Sequence, residues 1–165
     1  MSLKKDNYKP LDKKIMNFAI NLADNNKYLT GTNPSVGCVI VKKEKILSFA
    51  TTYKGGRPHA ESIALSKNKY NNGSTLYSTL EPCSHHGKTP PCTNAIIKNK
   101  IKKVYYSIED KDFRTFNKTK KILKSKNIKA KSGLLKNKVY NLYKEYNYIR
   151  SNKAPYIIGK IASSS

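Results

Sequence analysis

The sequence predicts an α/β fold: a three-layer α/β/α sandwich whose helices cover a central mixed sheet. Three observations carry this expectation. Apolar runs of strand length alternate along the chain with segments of helical periodicity, the pattern of helices packed on a sheet. Two consecutive strands are joined by a tight turn, Lys43-Glu44-Lys45, so at least one pair runs antiparallel. At 165 residues the chain has the length of one domain with one main core.

Leu11, Ile15, Phe18, Ala19 and Leu22 recur at helical spacing and predict an opening helix to about residue 25. Residues 36–41 (VGCVIV) form a continuous apolar strand, with Cys38 read as a small buried hydrophobe, and 46–52 the strand that returns. Pro58 is expected at the first position of the next helix, with His59, Ala60 and Glu61 in its first turn. Residues 74–80 read as a buried strand that runs into Glu81-Pro82-Cys83, and a helix starts near Cys92. A strand over 103–108, a helix over 118–125 and a short strand over 128–131 follow. Val139, Leu142, Tyr143, Tyr146 and Ile149 share one face of a Tyr-rich helix, and 155–162 look like a final strand.

Charge is conspicuous but ambiguous. The formal net charge is +23, yet 30 of the 33 basic residues are Lys and only Arg57, Arg114 and Arg150 are Arg. Readers of bases and phosphates lean on the planar guanidinium fork. The excess of Lys accompanies 17 Asn and 12 Tyr, all with A/T-rich codons, so biased composition accounts for it and nucleic acid is not the expected partner. No apolar run reaches the roughly 18 residues of a membrane helix. The basic N-terminus lacks the apolar stretch of a secretory signal. Three cysteines without an export signal fit a cytoplasmic protein with reduced thiols.

Chemistry concentrates in two stretches. His59-Ala60-Glu61 offers an imidazole and a carboxylate, and EPCSHHGKTPPC over 81–92 offers two thiols. A hydrolytic Zn²⁺ site takes three protein ligands and keeps its fourth position for water. His59, Cys83 and Cys92 supply that set, and a predicted helix N-terminus at Cys92 would favour its thiolate. Water on such an ion acidifies towards neutrality. Glu61, two residues beyond the ligand histidine, can reach that water without ligating and shuttle its proton. H-x-E combined with P-C-x-x-C is the established signature of zinc nucleobase deaminases, and this chain carries its H-x-E and P-C parts. A closed structural clip using His85 or His86 as fourth ligand, or a Cys83–Cys92 disulfide, would use the same residues differently.

The eight residues between Cys83 and Cys92 separate this chain from deaminases carrying C-x-x-C. With NPSVGCVIV at 33–41, GGRPHAE at 55–61 and TLYSTLEPCSHHGKTPPCTNAIIK at 75–98, the chain resembles the deaminase domain of the bacterial riboflavin-biosynthesis RibD family over about residues 11–162. The resemblance implies a cytidine-deaminase-like fold and a phosphoribosylaminopyrimidine substrate, 2,5-diamino-6-hydroxy-4-(5-phosphoribosylamino)pyrimidine, deaminated to 5-amino-6-(5-phosphoribosylamino)uracil. It implies zinc on His59, Cys83 and Cys92, with Glu61 as proton shuttle. Asn33, His85, Lys88 and Asp112 fall at substrate-contact positions, and a homo-oligomer is implied. Thr52 departs from a pocket histidine, and Asp110-Lys111-Asp112-Phe113 lacks both prolines of the family's turn. Residues 1–153 are expected to be the deaminase domain. Residues 154–165 resemble the first strand of the family's reductase domain, either docked elsewhere or mobile; either the reductase is a separate polypeptide or the chain is a fragment, and reductase activity is not expected in this chain. The alternative from the nucleic-acid class is a tRNA adenosine deaminase.

Overall fold

The structure is a computed structural model, and it describes residues 8–157, 159, 161 and 162. Helix α1 (Pro10–Asn25) opens with proline at its first position. Asp12 in its first turn accepts the Lys9 N–H at 3.1 Å. Its apolar stripe of Ile15, Met16, Ala19 and Ala23 is fully buried. Strands β1 (Gly37–Lys42) and β2 (Lys45–Thr51) make the expected hairpin. Lys43 and Glu44 both take left-handed φ, 47° and 63°, the geometry whose twist matches a two-residue hairpin, although neither is Gly or Asn.

Strands β3 (Thr75–Leu80), β4 (Lys103–Ile108) and β5 (Lys129–Ser132) complete one five-stranded sheet of order β2-β1-β3-β4-β5. Strand β1 is antiparallel to both neighbours, and β3, β4 and β5 are parallel, so the sheet is mixed. Alternation sorts its side chains. Cys38, Ile40, Leu76 and Val104 join the core beneath α2 (Ala60–Ser66), α3 (Cys92–Lys98) and α4 (Thr119–Lys124). Val39, Val41 and Tyr77 face α1 on the other side. A Cβ on Gly37 would stand 1.9 Å from the Ala19 carbonyl oxygen, so glycine there lets α1 lie flush on β1. Helix α5 (Lys136–Leu142) packs against β4 and α1.

Three local expectations change. Pro58 does not start the helix: α2 begins at Ala60, and His59 is its N-cap, in extended conformation. The Tyr-rich helix is two helices, α5 and α6 (Lys144–Asn152), which part at Tyr143. That residue is buried, and its hydroxyl donates to the Ser35 carbonyl at 2.8 Å while sharing a 2.6 Å hydrogen bond with Thr79 Oγ1. Satisfying the buried phenol at the ends of the central strands outweighs helical continuity. The described residues of 155–162 form no strand; Ile157 and Ile161 are exposed, and positions 158 and 160 lie outside the described residues.

Candidate active site

A cleft of about 540 Å³ opens at the carboxyl ends of β3 and β4, the usual position of ligand sites on such sheets. Its floor is made by two helix starts and one strand end. His59 caps α2, Cys92 is the first residue of α3, and Cys83 lies in the loop after β3. The Cys83 carbonyl accepts the Thr93 N–H at 3.1 Å, which pins that loop to α3. One ligand atom from each of the three residues lies within 4.8 Å of the others. His59 Nδ1 is 3.3 Å from Cys92 Sγ and 3.5 Å from Cys83 Sγ. Tetrahedral zinc with ordinary Zn–N and Zn–S bonds places N and S roughly 3.5 Å apart. The donor set therefore fits the ion without rearrangement. A fourth protein ligand is not part of this group among the described residues, which leaves the site open and argues against a closed clip. Both cysteines are free thiols.

The two sulfurs divide their protons unequally. The Cys92 thiol bonding to Cys83 is the main reason Cys83 falls to about 4, with His59 and the Cys92 backbone N–H (3.2 Å) adding to it. Cys92 is pushed up by the same contact and by its burial. The α3 amide thus serves Cys83, whereas the sequence suggested that the helix end would favour the Cys92 thiolate. His59 is raised by its bond to Cys83. A proton held among these donors is what a divalent cation would displace.

Glu61 is 3% exposed, in the first turn of α2. Its Oε1 accepts the Ser78 hydroxyl at 3.4 Å, and Oε2 lies 3.6 Å from Cys92 Sγ. Burial raises its carboxyl above the ordinary range, and His59 opposes this in part. A carboxyl that holds a proton more readily suits acid–base exchange near neutral pH.

The other predicted residues separate. Asn33 lines the cleft, held by the Thr30 hydroxyl, which donates to its carbonyl at 2.7 Å. Gly56, at φ 93°, is seated against the Asn33 side chain, where a Cβ would stand 2.2 Å from Nδ2. His85 lines the cleft with Nδ1 2.9 Å from Thr115 Oγ1. Lys88 is exposed and does not line the cleft. Thr52 is buried and occupied: its hydroxyl accepts the Val36 N–H at 2.9 Å and donates to the Pro34 carbonyl at 3.1 Å.

The turn without prolines is held by charge instead. Asp110 Oδ1 accepts the Asp112 N–H at 3.0 Å. Asp112 is gripped by Arg114, through Nε at 2.9 Å and Nη2 at 2.5 Å, and by Arg150 Nη2 from α6 at 2.8 Å. These guanidinium contacts, Arg114 foremost, hold its carboxyl well below the usual range. Behind the turn, Glu81 accepts the backbone N–H groups of Asp110, Asn117 and Thr119 at 3.2–3.3 Å. Sequence reasoning missed this network and missed that Arg57, Arg114 and Arg150 all line the cleft. Their rarity in a Lys-rich chain was the available signal.

Residues 9–108 match the family described as the cytidine and deoxycytidylate deaminase zinc-binding region. The chain is 37% identical over 155 residues to the riboflavin biosynthesis protein RibD of Aquifex aeolicus, covering 93% of this chain and 44% of that one. It is 43% identical over 125 residues to the diaminohydroxyphosphoribosylamino-pyrimidine deaminase of Buchnera aphidicola subsp. Schizaphis graminum, covering 75% of this chain and 85% of that one. Acinetobacter baumannii RibD superimposes with a TM-score of 0.83 at 37% identity, over 88% of this chain and 42% of the other. The chain thus spans less than half the length of the RibD relatives it matches. No helix among the described residues is long and apolar enough to cross a membrane. Fold, metal-ligand geometry and these likenesses agree: the chain belongs to the cytidine and deoxycytidylate deaminase family, and within it to the RibD deaminase domains.

Proposed function

We propose that this protein hydrolytically deaminates 2,5-diamino-6-hydroxy-4-(5-phosphoribosylamino)pyrimidine, giving 5-amino-6-(5-phosphoribosylamino)uracil and ammonia. The observation that carries this reading is a three-ligand group with a buried, non-ligating carboxylate beside it at the base of a cleft. His59 Nδ1 and the two cysteine sulfurs would hold a zinc ion, which would supply Lewis-acid activation of water. Glu61 takes a proton from the attacking water and delivers it to the ring nitrogen. It then takes the proton of the new hydroxyl on the attacked carbon and passes it to the departing amine as the C–N bond breaks. Such relays contribute about 10²–10⁴-fold. Asn33 and His85, which both line the cleft, orient the pyrimidine. Lys88 joins only if the loop between the cysteines folds inward, and Asp112 acts through the arginines it holds.

Residues 1–153 form the deaminase unit in this reading. The thiols call for a reducing, cytoplasmic setting. A homo-oligomer and a reductase as partner are carried into the proposal from the family resemblance. The tRNA adenosine deaminase alternative draws no support from the RibD relatives. The test is to give zinc-loaded protein the pyrimidine and, separately, tRNA. Stoichiometric ammonia from the pyrimidine is expected; inosine formation in tRNA without it would overturn the assignment.

A further inference from the structure

Four of the chain's 33 basic residues line the cleft, Lys27, Arg57, Arg114 and Arg150, and they include all three arginines. Elsewhere among the described residues the chain meets every need for a cation with Lys. A guanidinium differs from an ammonium in offering five donors in a fixed plane, which matters where two oxygens of one group are gripped together. Arg57 is already used at the floor, donating to Thr89 Oγ1 at 2.9 Å beside His59. The remaining two converge on one carboxylate from different elements, the 110–118 turn and α6.

Asp112 is nearly closed to solvent, with a side chain 7% exposed, whereas those of Arg114 and Arg150 are 48% and 43% exposed. One negative charge thus faces two positive ones, and the trio keeps a surplus of one positive charge at the cleft wall. Arg114 uses two of its five N–H donors on the Asp112 carboxylate and Arg150 one of its own, so several remain free. A purely structural tie between α6 and the turn would need only one arginine. Asp110, the other carboxyl of the turn, already accepts the Asp112 N–H, and burial favours its neutral form.

We propose that Arg114 and Arg150, aligned by Asp112, form a phosphate subsite that binds the sugar-phosphate end of the substrate. This rests on the deaminase reading, and it assigns phosphate recognition to two arginines that the family resemblance did not single out. Asp112 is a positioning residue in this scheme: it fixes both guanidinium planes and leaves their outer edges to the anion.

The test uses the full chain and two probes. Ribose 5-phosphate is titrated calorimetrically into the wild-type protein and into R114Q, R150Q and K88A. Each arginine variant is expected to weaken binding about 10- to 100-fold, the usual consequence of losing a charge-assisted contact, and K88A to change it less. In turnover, the same arginine variants raise KM for the phosphorylated pyrimidine far more than for its dephosphorylated form, with kcat little affected. R114K and R150K keep Asp112 neutralised and the fold intact, and show a smaller weakening because the fork is gone. Equal ribose 5-phosphate affinity in wild type and all four arginine variants would overturn the subsite, as would a loss confined to K88A. Arginine-dependent ribose 5-phosphate binding without ammonia release would sink the deaminase reading and leave the subsite standing. Normal turnover with an unchanged KM would do the reverse.

Discussion

The floor and the rim of the cleft are built on opposite plans. The floor takes His59 and Glu61 from one short segment and two cysteines nine positions apart from another, each fixed by a helix start or strand end. The rim joins residues far apart in sequence: Arg150 to Asp112, Lys27 to Glu145, and Tyr143 to Ser35 and Thr79. At the floor, local backbone geometry places the reacting groups. At the rim, the charges and hydrogen bonds that hold the walls exist only once the chain has folded. The division implies that floor substitutions damage chemistry and rim substitutions damage binding or stability.

The contrast is sharpest at Glu61. Glu61→Gln should lower kcat by at least about 10²-fold while bound zinc, measured by atomic absorption, stays at the wild-type level. Activity within a few-fold of wild type would mean that the floor lacks its proton carrier. Glu81 stands behind the rim turn and serves three backbone N–H groups. Glu81→Ala should cost about 3 kcal/mol in urea unfolding, because buried donors lose their acceptor. A cost below about 1 kcal/mol would show that the turn holds itself.

Asp112 offers a test by pH. Its folded carboxyl titrates below the unfolded value of about 3.9, so its stabilisation is complete above that pH and is lost as pH falls towards the folded value. The stability advantage of wild type over D112N should therefore shrink as pH falls below about 4. An advantage independent of pH would remove ion pairing as its source. The smallest effect belongs to the Lys27–Glu145 pair at 3.1 Å, whose side chains are about one-quarter exposed. Glu145→Gln should change unfolding free energy by less than about 1 kcal/mol. A larger loss would mean that this bridge across the cleft organises the rim.

Much of the fold was readable because burial imposes periodicity. The run 36–41 and the stripe of Ile15, Ala19 and Leu22 report directly which faces avoid water. The helix over 139–149 was misread because the same pattern continues across Tyr143, and nothing local reveals that its hydroxyl has partners on Ser35 and Thr79. Pro58 was misplaced by two positions for a similar reason: proline suits several turns near a helix start, and tertiary packing chose His59 as the cap. Lys88, which the family resemblance puts at a substrate-contact position, is exposed on the loop between the cysteines and does not line the cleft.

By itself, then, the sequence determined the alternation of strand and helix and pointed to the candidate ligand set and the carboxylate beside it, since each depends on residue type at short spacing. Only the tertiary structure decided which cations face the cleft, which sulfur gives up its proton first and what holds a turn that lacks its prolines. Those outcomes depend on distances between groups remote in sequence and on the loss of water around them, and spacing along the chain encodes neither.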